Sequence, residues 1–553
     1  MVPIAAGQSQ ESLQTINSLL HAGECVCLFP EGAISRNGQL GKFHTGYERT
    51  LEGVTDGVIV PFYLHGLWGS SLSRADEGLR QARAPDLKRD LIVAFGPALP
   101  LDTTAKQLKQ KVFELSITAW QTYAEQLPPI PLAWLRAAKR KPSRLCVADD
   151  SRTSASNRQL ASSVVELGKQ LRLPGSAKNI GILLPPGAQA TRAVMAVLLQ
   201  GKVVVPLNHT LPGQAFASLL QAADVDRIIT SRSFLATLAE QGNNIDPELQ
   251  GQNVLYIDDL ATRMAPWRKA LGALQFACLP ASLFYRLHGH RVAATSPAAI
   301  LLTDPGEHAP RAVQLSHRNI MANCKQVSDV LNTQIDDVIL SCIPAYHPFG
   351  LTVTTIMPLV EGIPMACHSQ PADSLGIAKT VARFNATILP GSPGTLDLYA
   401  RNDDIHPLML NSLRLVVSGS EQLPESVRNA FELKFGKRIY EGFSLAEATA
   451  VASVNIPDAM DTTDWKVQQG AMAGTLGMPL PGTGLKIIDA ISGVEQPLGQ
   501  EGQVLICGSQ IMQGYLNDPE KTGSAIIDID GQRWLKTGNT GHLTEEGFLI
   551  LSV

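Results

Sequence analysis

Two apolar periodicities alternate along this chain. Leu13, Ile16, Leu19 and Leu20 recur at helical spacing and predict an amphipathic helix over residues 9–23, ended by Gly23. The apolar run of residues 24–29 predicts a buried strand carrying Cys25 and Cys27, and residues 57–64 (Gly-Val-Ile-Val-Pro-Phe-Tyr-Leu) predict another. Strand, glycine turn, helix and strand in this order predict an α/β layer. Residues 128–142 break the rhythm with prolines and the basic cluster Arg136, Lys139, Arg140 and Lys141, a linker composition around a short amphipathic helix. That helix end reads as solvated, with a place on anionic lipid beside Trp134 and Leu135 as the alternative. From Leu145 strands and helices alternate: a buried strand at 180–184, a helix over 188–200 ended by Gly201, a strand over 203–208, a helix over 214–223 and a strand over 228–231. This is the pattern of a doubly wound sheet of βα units.

The chain is organised around residues 301–323. An apolar strand ending at Leu302 enters a loop with Pro305, Gly306 and Pro310, a second strand follows, and Ser316 is placed as the N-cap of a helix. A loop in such a setting can wrap an anion in backbone N–H groups.

Composition narrows the field. A chain of 553 residues exceeds one core. A net charge of −4 argues against a nucleic-acid partner. The 8 cysteines show neither metal-ligand spacing nor a disulfide framework, which points to a reducing, cytoplasmic setting. No apolar run approaches the roughly 20 residues of a membrane span, and no signal peptide is expected.

The loop resembles the phosphate loop of adenylate-forming enzymes, the acyl and aryl ligases and luciferase. Thr303, Glu307, Pro310 and Val313 stand where that pattern wants them, and Leu315-Ser316-His317-Arg318-Asn319-Ile320 follows its tail closely. Asp304, Pro305, His308, Arg311 and Ala312 replace its Ser, Gly, Gly, Lys and Gly. Pro305 removes one N–H donor, Asp304 adds a negative charge, and Arg311 keeps a cation as a planar fork. Further resemblances follow in order. Pro344 to Gly350 is similar to a segment whose histidine, here His347, borders the acyl-carboxylate pocket. The strand ending in Ser418-Gly419-Ser420 resembles one that meets adenine. Tyr440 to Glu447 resembles a block whose ring, here Phe443, stacks on adenine and whose glutamate, here Glu447, holds Mg²⁺, a hard cation that prefers oxygen. Ala446 lacks that block's phosphate-binding hydroxyl. Residues 474–482, 502–508 and 512–519 are similar almost word for word, and Asn539 replaces the aspartate that grips both ribose hydroxyls. The resemblance thus implies a nucleotide site of Thr303, Gly306, Glu307, Arg311, Gly419, Ser420, Glu441, Gly442, Phe443 and Asn539.

Upstream, Phe29-Pro30-Glu31-Gly32 and Val60-Pro61 resemble glycerolipid acyltransferases, in which the first block holds the glycerophosphate acceptor. That family's catalytic His-x4-Asp block is expected to be absent, since the only such spacing, His368 and Asp373, lies in the other domain and reads as chance. Together the order resembles the family of bifunctional acyl-acyl-carrier-protein synthetase/2-acylglycerophosphoethanolamine acyltransferases. It implies a partial acyltransferase α/β domain over 1–127, the linker over 128–142, and the large adenylate-forming domain over 143–553 without its lid and the lid's lysine. The implied activity is ATP- and Mg²⁺-dependent activation of a fatty acid, transfer to acyl carrier protein or coenzyme A, and acylation of a lysophospholipid, either in the cytoplasm or peripherally on the inner face of the inner membrane. Asp304-Pro305, Ala446 and Asn539 favour a second expectation: a fold that binds nucleotide, acyl ligand or a partner without turnover.

Overall fold

The computed structural model describes residues 9–83, 90–151, 153–171, 173–211, 213–261, 266–303, 310–419, 422–460 and 465–552. Two large sheets organise them. The first has seven strands in the order Gly514–Tyr515, Ala312–Ser316, Pro297–Leu302, Val203–Pro206, Asn179–Leu183, Arg227–Thr230 and Val254–Tyr256. The second has nine, with Ile439–Ser444, Leu415–Ser418, Ile388–Gly391, Ile339–Ser341, Met365–Cys367 and Leu145–Asp149 as consecutive parallel neighbours inside it. Inner strands such as Asn179–Leu183 and Leu415–Ser418 are buried at every residue, which is why they read as unbroken apolar runs. A five-stranded antiparallel sheet, containing Gly502–Cys507 and Gln532–Leu543, completes the carboxy-terminal part.

The helix His317–Leu331 runs through the middle and is buried on nearly all sides. Ser316 is its N-cap, in a capping box with Asn319. Its polar residues bind other segments rather than water. Asn319 Nδ2 donates to Ser509 O and Ile511 O at 2.7 and 2.8 Å. Asn323 Nδ2 donates to Val451 O at 2.8 Å, and Gln326 Nε2 to Pro481 O at 3.0 Å. One helix therefore fixes the backbone on both flanks of the candidate site.

Three expectations change. Residues 128–142 do not form a linker: the helix Ile130–Arg140 lies in the main core, with Trp134 and Leu135 fully buried, so neither can reach lipid. The helix Ala105–Glu125, inside the expected acyltransferase domain, packs on both sides of the expected boundary. Its first half packs on Phe43 and Tyr47, and its second carries Ile117 and Trp120 against Ile488, Trp534 and Gly482. Residues 24–29 run extended but form no strand ladder, and Cys25 and Cys27 are exposed. Among the described residues of this region Phe62–His65 pairs with Ile92–Phe95, and Ile59 and Leu99 form an isolated antiparallel bridge. A strand needs a neighbour to take its hydrogen bonds, and among the described residues 24–29 has none. No described helix is long and apolar enough to cross a membrane.

The amino-terminal unit is clamped to the rest by buried charge. Arg83 bridges Asp329 at 2.7 Å and Glu361 at 2.8 Å, and Lys325 reaches Glu361 at 2.7 Å. Trp68 Nε1 donates to Asp329 O at 3.0 Å.

Candidate active site

The strands Pro297–Leu302 and Ala312–Ser316 pair antiparallel, with Leu302 opposite Ala312. Thr303 and Arg311 close the loop's mouth: Thr303 N donates to Arg311 O and Arg311 N to Thr303 Oγ1, both at 3.0 Å. Gly306 and Glu307 lie outside the described residues, as do Asp304, Pro305, His308 and Ser420. Thr303 also lines a small depression with Asn208, Pro310 and Tyr346.

Beside this mouth three side chains converge. The Arg311 guanidinium lies 5.4 Å from the Tyr515 ring centre. The Tyr515 phenol donates to Glu447 Oε1 at 2.9 Å. The two elements meet because Gly514–Tyr515 joins the edge of Ala312–Ser316, with Val313 opposite Tyr515. Met512 N donates to Glu447 O at 2.8 Å and holds the glutamate's turn from the same side. Burial first, then the adjacent Glu447 carboxylate, pushes the Tyr515 phenol up to about 12, so it remains a donor at neutral pH. The sequence reading passed over Tyr515; its position in the well-matched stretch 512–519 was the available signal.

Glu447 sits in the 3-10 turn Ala446–Ala448 that follows the strand Ile439–Ser444. Thr449, next in the chain, is fully buried with φ +70°, an unfavourable setting for a β-branched residue. Its hydroxyl donates to Gln510 O at 2.5 Å, which offsets part of that strain and pins the turn.

An apolar cleft opens between the helix His317–Leu331 and the ends of the central strands. Val327, Leu331, Phe349, Val353, Val417 and Phe443 line it, with Gly419 and Gly442 at its floor. Phe443 is thus a cleft wall. Gly442 is required by packing: a Cβ there would lie 2.9 Å from Ser453 O. The Glu441 carboxylate does not face the cleft. It is buried against Arg428 and accepts from Leu423 N at 3.2 Å, so it braces the loop after Gly419. His347 Nδ1 accepts from Phe349 N at 3.2 Å and caps the helix Pro348–Leu351, which carries Phe349 into the cleft. Asn539 lies on the five-stranded sheet, where its amide donates to its own neighbour Thr537 O at 3.3 Å. Among the described residues no hydrogen bond joins it to Glu447.

The acceptor-type block has defined geometry too. Gly32, at φ +65°, closes a turn by donating to Phe29 O at 3.0 Å. Glu31 Oε2 accepts from Gly41 N at 2.7 Å. Burial raises the Glu31 carboxyl, opposed by that N–H and by Lys109. Phe29 is exposed beside Phe62, and Pro30 O accepts from His44 N at 2.9 Å. His368, read as a chance neighbour of Asp373, has Nε2 3.3 Å from Asp373 Oδ2 and Nδ1 3.4 Å from Asp150 Oδ2, a cluster at the end of Met365–Cys367 in which only the histidine is buried, outside the amino-terminal unit.

Mg²⁺ fits this donor set in a limited way. Among the described residues no three His, Cys, Asp or Glu side chains gather as a cage. One carboxylate, Glu447, would share such an ion with phosphate oxygens, a common arrangement for Mg²⁺.

Solved structures share this architecture. VinN matches with a TM-score of 0.62 at 21% identity over 77% of this chain and 100% of that one. O-succinylbenzoate coenzyme A synthetase (MenE) from Bacillus subtilis matches with a TM-score of 0.59 at 18% identity, over 77% of this chain and 79% of that one. A family profile described as AMP-binding enzyme matches residues 134–516, and the chain belongs to that family. A second profile, described as acyltransferase, matches residues 2–65, so an acyltransferase-type segment is fused ahead of the adenylating fold. Relatives include 4-coumarate–CoA ligase 5 of Oryza sativa subsp. japonica, 26% identical, with 68% of this chain and 65% of that protein covered. The long-chain-fatty-acid–CoA ligase of Bacillus subtilis (strain 168) is 28% identical, with 44% of this chain and 41% of that protein covered. The chain thus spans less than two thirds of either relative's length.

Proposed function

We propose that this protein activates a fatty acid with ATP, forming an acyl-adenylate, and serves the acylation of a lysophospholipid. The convergence of Arg311, Tyr515 and Glu447, the last of them three residues along the chain from the cleft-lining Ser444, carries this reading. In the adenylating step a fatty-acid carboxylate oxygen attacks the α-phosphorus, and pyrophosphate leaves. Arg311 would offset phosphate charge, and Tyr515 would hold Glu447 in one orientation. Bound at Glu447, Mg²⁺ would supply further neutralisation of the phosphates. Val327, Phe349 and Phe443 would shed water from the alkyl chain. A thiol of acyl carrier protein or coenzyme A then attacks the acyl carbonyl, forming the thioester as the acyl–phosphate bond breaks and AMP leaves. Glu31 and the turn at Gly32 are the candidate seat of the glycerophosphate acceptor. The relatives, a long-chain-fatty-acid–CoA ligase among them, support the acyl substrate; carrier protein, lysophospholipid and a membrane surface are this proposal's own.

One observation favours a second reading, binding without turnover. The Asn539 amide is turned to Thr537 O, where a ribose grip would need two acceptors. ATP–pyrophosphate exchange with a long-chain fatty acid and Mg²⁺ separates the two. We expect exchange above background, reduced at least ~10-fold in Tyr515→Phe, about what one lost charge-assisted hydrogen bond implies. Background exchange alongside retained nucleotide binding would instead establish the second reading.

A further inference from the structure

The helix Pro266–Cys278 has two apolar faces. The inward one carries Phe276, 1% exposed, and Gly272, where a Cβ would come within 3.3 Å of Ser162 Cβ on the helix Asn157–Leu171. At 100° per residue, Trp267, Leu271, Leu274 and Cys278 fall within about 60° of one another on the opposite side. That side faces solvent: Trp267 is 64% exposed, Leu271 46% and Leu274 60%. The next helix, Ala281–His288, repeats the arrangement. Phe284 and Tyr285 are buried, while Leu283 and Leu287 are exposed at i, i+4. The helices are joined through their buried sides, where the Phe276 and Phe284 rings meet at 5.4 Å.

The charge carried by the segments that form this surface has one sign. No Asp or Glu occurs from Pro266 to Thr303, or from Gln126 to Ala148. The exposed cations are Arg268, Arg286 and Arg291, joined by Arg136 on the Ile130–Arg140 helix, while Arg140 and Lys141 at its end turn to Ala82 O and Gln81 Oε1. Lys139 ties that helix to the first by donating to Ala277 O at 3.4 Å and lying 4.9 Å from the Phe276 ring. The Arg268 guanidinium sits 5.3 Å from the Trp267 ring and 3.7 Å from Glu166, a carboxylate almost wholly buried beneath the helix.

We infer that this face, Trp267, Leu271, Leu274, Leu283 and Leu287 with exposed arginines on the same helices, is a docking surface for an anionic lipid bilayer. Protruding aliphatic side chains with a tryptophan at one end suit the headgroup–acyl boundary, and the exposed arginines suit its negative potential. An acidic protein would satisfy the charges but would be expected to offer a groove or ridge for the stripe; a bilayer accepts five separate protrusions at once. The inference deepens the lipid-acylation proposal by naming its membrane contact, yet it needs no turnover, so each can fail alone.

Vesicle co-sedimentation of the full chain, without ATP, tests it. Wild type should bind vesicles rich in phosphatidylglycerol, bind pure phosphatidylcholine vesicles far less, and release as salt rises. The triple variant Trp267→Ser, Leu271→Gln, Leu274→Gln should partition at least ~10-fold more weakly, as expected when several apolar contacts with the interface are removed. Its thermal melt should be unchanged, since these side chains touch solvent. Should that variant not fold, Arg268→Glu with Arg286→Glu should abolish the preference for anionic vesicles alone. The inference is overturned if wild type binds neither vesicle or both equally. It is overturned too if the variants partition as wild type, or if they lose self-association or binding to acyl carrier protein while keeping vesicle binding.

Discussion

Asn319 shows how much one buried amide can hold. Its Nδ2 serves Ser509 O and Ile511 O, and its Oδ1 accepts from Ser316 N at 2.9 Å and Ser316 Oγ at 2.6 Å. Replacing it with alanine leaves buried carbonyls and an N–H without a partner, each costing roughly 1–3 kcal/mol and not additively. Asn319→Ala should lose about 3 kcal/mol in urea unfolding. It should also lower pyrophosphate exchange, because Met512, adjacent to the freed carbonyls, carries the N–H that fixes Glu447. A loss below about 1 kcal/mol would mean that water replaces the amide. The Ser316–Asn319 cap was legible because capping residues announce themselves locally. The partners of Asn323 and Gln326 were not, since they bind backbone carbonyls more than a hundred residues away. Among the site residues, Arg311 and Glu447 lie where the motifs put them in the chain, and the fold joins them through Tyr515. Glu441 was expected at the nucleotide, but its motif position does not show that Arg428 claims its carboxylate.

Between elements, the buried charges at Arg83, Lys325, Asp329 and Glu361 join the helix Glu77–Arg83 to the helices His317–Leu331 and Met357–Glu361. Burial alone would raise the Glu361 carboxyl, but Arg83 and Lys325 outweigh it and hold it at about 2, below its ordinary 4.5. A folded value below the unfolded one gives stability that is present above pH 4.5 and lost as pH falls through 2. Glu361→Gln should therefore cost about 3–5 kcal/mol near neutral pH, the range for breaking a buried pair. Its deficit in chemical melts should shrink toward zero as pH approaches 2. A deficit that does not change with pH would point to packing instead of charge. Nothing local in the sequence announced this clamp. The same limit explains the misread element Ile130–Arg140: its prolines and basic end gave a linker composition, but its Trp134, Leu135 and Ala138 face is core. Conversely, residues 24–29 have a strand's composition, but no ladder forms beside them.

At the scale of the molecule, the doubly wound pattern was the most legible feature, because buried parallel strands write themselves as unbroken apolar runs between helical segments. The order of the strands was hidden, since Gly514–Tyr515 joins a sheet begun more than three hundred residues earlier. That late strand brings Tyr515 and, through it, Glu447 to Arg311. The account stands on this meeting as a working cradle for a nucleotide's phosphates. Calorimetric titration of the full chain with ATP and Mg²⁺ tests it most directly. The cradle predicts one saturable site whose affinity depends on Mg²⁺ and falls about tenfold or more in Glu447→Gln, equivalent to ~1.4 kcal/mol. Absence of binding heat in the wild type, or equal affinity in the variant, would contradict it.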